Sequence, residues 1–180
     1  LQLYTLIPDT IFEQKLIDLG YDNVHDGQVL TANISSIDSL EISGISIVDL
    51  TGIEDFNALT HLNCSFNGLT NLDVSNNTAL TYLSCGDNDQ LTSLDVSNNT
   101  ALTFLNCRGL QQINPSLVGG LTSLDLSQNN NLDTLICDLN QLTSLDVSQN
   151  TSLKILSCSR NNLTSLDVSQ NPNLTSLYCW

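Results

Sequence analysis

The sequence has no methionine, three prolines and only four lysines and arginines among its 180 residues. Nineteen aspartates and glutamates oppose these cations, which gives a formal net charge of -15 at pH 7. Nucleic acids and anionic membranes bind clustered lysines and arginines, so this balance argues against both as partners. No apolar run approaches the roughly 18 residues of a membrane-spanning helix, and no basic-then-apolar leader opens the chain. A secreted form would therefore already have lost its signal peptide.

Motifs of common enzyme classes are also missing. The two histidines, His25 and His61, accompany no zinc motif, and no phosphate-binding glycine loop occurs. The aspartates that recur along the chain share one environment, whereas acid-base catalysis needs two carboxyls with different pKa values. We therefore expect no enzyme activity.

What the chain has in abundance is a repeated unit. Residues 142–162 read LTSLDVSQNTSLKILSCSRNN, and the pattern starts again at Leu163. Earlier copies start at Leu69, Leu91 and Leu121, so the successive steps are 22, 30, 21 and 21 residues. Leucines at constant offsets within such a period predict a solenoid of stacked coils.

Each unit contains two copies of L-x-x-L-x-L-x-x-N, at 142–150 and 153–161 in the unit above. Side chains alternate along a strand, so each copy predicts a short extended segment with its leucines inside. The asparagine suits a tight turn, and its amide can bind backbone groups that the coil leaves unpaired. Stacking predicts two asparagine columns, Asn67, Asn88, Asn140 and Asn161 in one, and Asn77, Asn99, Asn129, Asn150 and Asn171 in the other.

These residues resemble the leucine-rich-repeat family. The match is to its nested bacterial form, in which L-x-x-L-x-C-x-x-N-x-L alternates with L-x-x-L-D-V-S-x-N-T, and it covers residues 37–180. The first repeat, to about residue 59, is similar to the internalin type. The resemblance implies a mainly β, right-handed solenoid of parallel strands with one strand column on the concave face. We expect a second column on the opposite face, either as a second hydrogen-bonded sheet, which gives two strand columns per coil, or as a looser extended face. It also implies a secreted or cell-surface protein of Bacteroidetes-like bacteria.

Residues 1–36 lie before the repeats, and we expect them to cap the first coil. Over residues 10–19, TIFEQKLIDL places apolar residues at helical spacing and predicts a short helix. Thr10 and Glu13 form a candidate capping box, and Gly20 offers a stop.

Two irregular segments follow from the same alignment. Asp22, Asp26 and Gly27 match part of a calcium loop, with a plain Asp/Gly turn as the alternative. The 30-residue step predicts a loop insertion at about 108–120, read either as a binding loop or as a tolerated insertion. The chain stops one strand into a new coil, at Trp180, which we interpret as a truncated repeat array.

Six cysteines recur at one inward position of the first half-repeat. Neighbouring parallel strands lie about 4.8 Å apart with side chains pointing the same way, so adjacent disulfides would be strained. We interpret the column as free thiols that fill the core, with a zinc or redox site as the alternative. Its members are Cys64, Cys85, Cys107, Cys137, Cys158 and Cys179.

The outward positions of the first half-repeats are chemically varied. Aromatic rings with an arginine among small polar residues are typical of interface hot spots, and an exposed ring can stack on a sugar. The alternative is cross-strand packing that only stiffens the sheet. The predicted ligand-binding residues are His61, Tyr82, Phe104, Asn106, Arg108, Ile136 and Tyr178.

The outward positions of the second half-repeats are uniform and acidic. Stacking brings five carboxylates into one column, where neighbours repel by about 0.9 kcal/mol in bulk water and several-fold more near a protein surface. Serine hydroxyls could compensate as hydrogen-bond donors, and bridging Ca²⁺ is the second interpretation. This candidate metal column contains Asp73, Asp95, Asp125, Asp146 and Asp167.

The sequence therefore predicts a secreted or cell-surface binding module that recognises a protein or a polysaccharide as a monomer. Curved repeat surfaces commonly bind partners, which favours this function. The competing hypothesis is a structural spacer whose acidic face, with or without Ca²⁺, keeps it soluble and stiff.

Overall fold

The computed structural model describes residues 2–110 and 119–180. The first two strands of the chain pair antiparallel, and the other described strands form one seven-stranded parallel sheet in sequence order. This is the parallel solenoid predicted from the leucine spacing. The elements are β1 (Tyr4–Leu6), α1 (Thr10–Asp18), β2 (Gln28–Leu30), α2 (Thr31–Ile34), β3 (Ser39–Glu41), a 3-10 turn (Ile53–Asp55), β4 (His61–Asn63), β5 (Tyr82–Ser84), β6 (Phe104–Asn106), β7 (Thr134–Ile136), β8 (Ile155–Ser157) and β9 (Ser176–Tyr178).

The strand register places leucine over leucine along the sheet. Leu62 pairs with Leu83, and Leu83 pairs with Leu105. The central leucines of β4 to β8 are buried and the first residue of each strand is at least partly exposed, as strand alternation requires. The hydrophobic core runs without a break from Ile7 in the N-terminal segment to Cys158.

The asparagines tie adjacent coils together as predicted. The Asn88 side-chain amide donates to the carbonyls of Cys85 and Cys64, at 2.8 and 3.1 Å, and its Oδ1 accepts from the Leu69 amide. In the second column, Asn99 Nδ2 donates to the carbonyls of Val74 and Asn77 in the preceding coil. Asn88 therefore satisfies backbone groups of two coils, and Asn99 fastens its own coil to the preceding one.

Of the two alternatives for the second column, the structure has the looser face and not a second sheet. Among the described residues, the second half-repeats contain no strand, and all parallel pairing comes from the first halves. Their backbone amides bond locally instead: Ser75 N donates to the Asp73 carboxylate, and Asn77 N donates to the Val74 carbonyl. These local bonds replace the ladder that a second sheet would need.

The helix predicted over residues 10–19 lies at Thr10–Asp18, but its N-cap is Asp9 rather than Thr10. Asp9 Oδ1 accepts from the amides of Ile11 and Phe12, while Oδ2 accepts from Val48 and Asp49 in the first coil. One carboxylate therefore caps the helix and fastens it to the solenoid. These hydrogen bonds hold the pKa of Asp9 below its usual value, although its partial burial opposes them.

Glu13 does not form the predicted capping box. It is buried and accepts from the Asp26 and Gly27 amides, so it holds the following loop rather than the start of α1. Phe12 packs against Phe56 with ring centroids 6.2 Å apart, which joins the helix to the core of the first coil. The boundary at residues 36 and 37 stays a prediction.

Most of the predicted insertion lies outside the described residues, which stop at 110 and resume at 119. No helix in the described part of the chain is long and apolar enough to cross a membrane.

Candidate binding face

The solvent-facing side chains of β3 to β9, which we call the sheet face, form two parallel columns. Their positions follow from the alternation of each three-residue strand about its inward leucine. From β4 onward, the first column contains His61, Tyr82, Phe104, Thr134, Ile155 and Ser176, and the second contains Asn63, Ser84, Asn106, Ile136, Ser157 and Tyr178.

Three rings of the first column form a continuous aromatic stack. His61 lies on Tyr82 with ring centroids 4.0 Å apart and planes 11° apart, and Tyr82 lies on Phe104 at 4.3 Å and 5°. All three side chains are half-buried by their neighbours. The stack ends where Thr134 takes the next position in the column.

Glu41 on β3 holds the N-terminal end of this stack. Its Oε1 lies 2.8 Å from His61 Nε2, and its Oε2 accepts from Asn63 Nδ2 at 2.9 Å. One carboxylate thus orients the first ring and the neighbouring amide. The repeat alignment missed Glu41 because β3 belongs to the divergent first repeat, although Leu40 aligns with Leu62.

The other predicted residues lie further along the same face. Asn106 donates to the Ser84 hydroxyl at 3.2 Å and faces Ile136 in the next strand. Arg108 and Tyr178 line a groove that runs over the coils of β6 to β9, and none of the three stacked rings lines this groove. The structure therefore divides the predicted binding residues between two places.

We call the second place the arginine groove. It has a volume of about 280 Å³ and combines residues from four coils. Sequence reasoning selected only Arg108 and Tyr178 from its lining. The full lining is Arg108, Asp138, Leu139, Ser157, Ser159, Arg160, Tyr178 and Trp180.

Hydrogen bonds and stacking hold several groove side chains in place. The Arg160 guanidinium lies 5.5 Å from the centre of the Trp180 ring, in a cation–π contact. Asp138 Oδ1 accepts from the Ser157 hydroxyl and the Ser159 amide, each at 2.8 Å. The sequence signal for this cluster was available, because Asp138, Ser159 and Trp180 each directly follow a cysteine of the cysteine column.

The five aspartates of the second half-repeats, which we call the aspartate column, are exposed and hydrogen-bonded. Each accepts from the amide of the serine two residues later, at 2.8 to 3.0 Å. For Asp73 and Asp95, the hydrogen bond from the serine hydroxyl lowers the pKa of the carboxylate most, and the bond from this amide lowers it further. For the other three aspartates, the bond from the amide has the larger effect on the pKa and the bond from the hydroxyl has the smaller one. Serine donors therefore stabilise the ionised column.

Within residues 2–110 and 119–180, no three His, Cys, Asp or Glu side chains are grouped closely enough to hold a metal ion. Calcium binding by the aspartate column or by Asp22 and Asp26 stays a prediction.

The cysteines directly follow the strands of the parallel sheet and face the interior of the solenoid, as predicted. Five members are buried and Cys179, on the last coil, is exposed; all six are free thiols. Burial raises the pKa of Cys85 to about 12 and that of Cys158 to about 11. The buried thiols are thus neutral and fill space in the core.

This architecture is similar to that of bacterial internalins. No protein-family model matches the chain. Internalin J of Listeria monocytogenes is 45% identical over 45 residues, which are 25% of this chain and 5% of the relative. The solved functional domain of InlJ from the same species, described as including a cysteine ladder, is 37% identical with a TM-score of 0.71. That match covers 99% of this chain and 43% of the InlJ domain.

Two more distant structures show the same fold. InlF of Listeria monocytogenes is 23% identical with a TM-score of 0.66, over 96% of this chain and 56% of its own. A leucine-rich-repeat protein of Leptospira interrogans is 23% identical with a TM-score of 0.71, over 82% and 38%. The chain spans less than two thirds of each of these relatives. Repeat pattern, strand register and structural likeness together show a leucine-rich-repeat solenoid similar to those of the internalins.

Proposed function

We propose that this chain is a non-enzymatic recognition module that binds a protein partner through the sheet face, at the aromatic stack. One observation carries the proposal: His61, Tyr82 and Phe104 form an ordered run of half-buried, stacked rings on the sheet face. Likeness to internalins supports a protein-interaction role at the level of the family.

The stack is suited to binding because its rings are already ordered. A ligand that packs on them needs to immobilise little side-chain freedom, which reduces the entropy cost of association. Rings at the centre of an interface supply large contact areas and commonly form its hot spots. The rim would be polar, because Glu41, Asn63 and Ser84 surround the stack.

The resemblance to nested bacterial repeats favours a secreted or cell-surface location for this module. Its charge of -15 favours a monomer, since like-charged copies repel one another. A glycan ligand that stacks on the rings remains the second ligand class to be screened.

The test compares the wild-type chain with a Tyr82→Ala, Phe104→Ala variant in a binding screen of surface proteins and polysaccharides. The matched control is a Ser93→Ala, Ser144→Ala variant, which alters the exposed aspartate-column side of the coils. Circular dichroism must show that all three are folded. A protein ligand lost only by the ring variant supports the proposal; a ligand that both variants retain contradicts it.

The spacer function is the competing candidate, and the uniform aspartate column favours it. If Ca²⁺ bridges stiffen the column, the melting temperature is higher in calcium than in chelator. The observed serine hydrogen bonds already compensate the carboxylates, so we expect equal values. No ligand in the screen together with a calcium-dependent melting temperature would favour the spacer.

A further inference from the structure

The arginine groove concentrates positive charge on an acidic chain. Arg108 and Arg160 are two of only four lysines and arginines, and both line this groove. Within the described residues neither guanidinium forms an ion pair with an acidic side chain. A guanidinium binds a carboxylate through parallel N–H donors, so the groove is suited to an anionic group.

Stacking on Trp180 prepares Arg160 for this contact. The guanidinium carbon lies over the indole ring, 5.5 Å from its centre. No described residue accepts a hydrogen bond from this guanidinium, so its N–H donors stay available to a ligand. Arg160 is exposed, and its backbone lies in the left-handed region at a φ of 55°, which Leu139 shares at the equivalent turn of the preceding coil.

The groove also contains groups that an anion alone would not satisfy. Asp138 Oδ1 is occupied by Ser157 and Ser159, whereas Oδ2 accepts no hydrogen bond from a described residue. The Ser159 hydroxyl is buried in the groove wall without a hydrogen-bond partner among the described residues. A fitting ligand must therefore carry hydrogen-bond donors beside its negative charge.

We propose that the arginine groove binds an acidic glycan whose sugar ring carries a carboxylate. The carboxylate would contact the guanidiniums, and a ring hydroxyl would donate to Asp138. The exposed ring of Tyr178 offers an apolar face for the C–H side of the sugar. An acidic side chain by itself fits less well, because it supplies only acceptors and cannot donate to Asp138 as a ring hydroxyl does.

This inference rests on the proposed function only in assigning recognition to the sheet face; the site and the ligand class are its own. Trp180 is the single tryptophan of the chain, so its fluorescence reports directly on the groove. The probe is an α-1,4-linked galacturonic acid trimer at physiological salt. The comparison ligands are the neutral galactose trimer and triglutamate.

The expected result is a saturable change in Trp180 fluorescence with the acidic trimer and none with the neutral trimer. Arg160→Gln should weaken the affinity at least about tenfold, because the carboxylate loses its paired donors. Lys154→Gln is the matched control. Lys154 directly precedes β8, forms an ion pair with Asp133 and does not line the groove. It should leave the affinity unchanged within about twofold, because that charge is exposed and screened.

Three results would overturn the proposal: equal binding of the neutral trimer, binding of triglutamate but not of the sugar acid, or equal losses in Arg160→Gln and Lys154→Gln. Binding measured on the Tyr82→Ala, Phe104→Ala variant separates the two proposals. If the groove fails while the protein ligand still depends on the rings, only the glycan inference falls. If the sugar acid binds but no ligand depends on the rings, the aromatic-stack proposal falls alone.

Discussion

The imidazole of His61 lies 4.0 Å from the ring centre of Tyr82 in the neighbouring strand. Neighbouring strands in a sheet are about 4.8 Å apart, so the two rings have moved closer together than their backbones. Tyr82 and Phe104 do the same at 4.3 Å. At these distances the rings are in van der Waals contact, and Tyr82, with a partner on each side, is the central member of the stack.

Removing this central ring should destabilise the sheet. Tyr82→Ala breaks two ring pairs worth about 0.5 to 1.5 kcal/mol each, so we expect a loss of about 1 to 3 kcal/mol in the free energy of unfolding. Urea unfolding at 25 °C measures it. Thr134→Ala in the same column is the control and should lose less; equal losses would mean that the stack adds no stability.

The buried asparagines should matter more than their small size suggests. Asn88→Ala leaves the Leu69 amide and the Cys85 and Cys64 carbonyls without these partners in the core. We expect a loss of about 2 to 4 kcal/mol in unfolding free energy. Asn76→Ala, at an exposed turn position, should change it by less than about 0.5 kcal/mol. Similar values for both would contradict the bridging role.

Stability should fall on acidification because of the aspartate column. The Ser127 amide and hydroxyl lower the pKa of Asp125 below 3.8, so the unfolded chain takes up the proton first. This contribution is complete above the unfolded pKa and disappears as the pH falls through the folded pKa. Asp125→Asn retains an acceptor but does not titrate there. We therefore expect the variant to gain stability relative to the wild type as the pH falls from 6 to 2. A stability difference that stays constant over this range would contradict the prediction.

Thiol titration should separate one cysteine from the rest. Cys179 is exposed and the other five are buried, so the native protein should react with a thiol reagent at one site and the denatured protein at six. Cys179→Ser should abolish the fast native reaction. Two or fewer reactive thiols in denaturant would show disulfides and overturn the space-filling interpretation.

The repeat pattern alone predicted the coils, the inward leucines and cysteines, the asparagine columns and the outward position of the aromatic residues. These follow from local periodicity, because alternation about Leu62, Leu83 and Leu105 decides which side chains face solvent. The same reasoning placed the helix near residue 10 but not its cap. Asp9 is selected by Val48 and Asp49, which are distant in sequence.

Which outward residues meet depends on the tertiary structure. It brought Arg108, Asp138 and Arg160 together in one groove, across coils of unequal length. It also left the second half-repeats without strands, because aspartate and asparagine side chains compete for the same backbone groups as a sheet ladder. Periodicity sets the direction of each side chain, whereas the stacking of whole coils sets its neighbours.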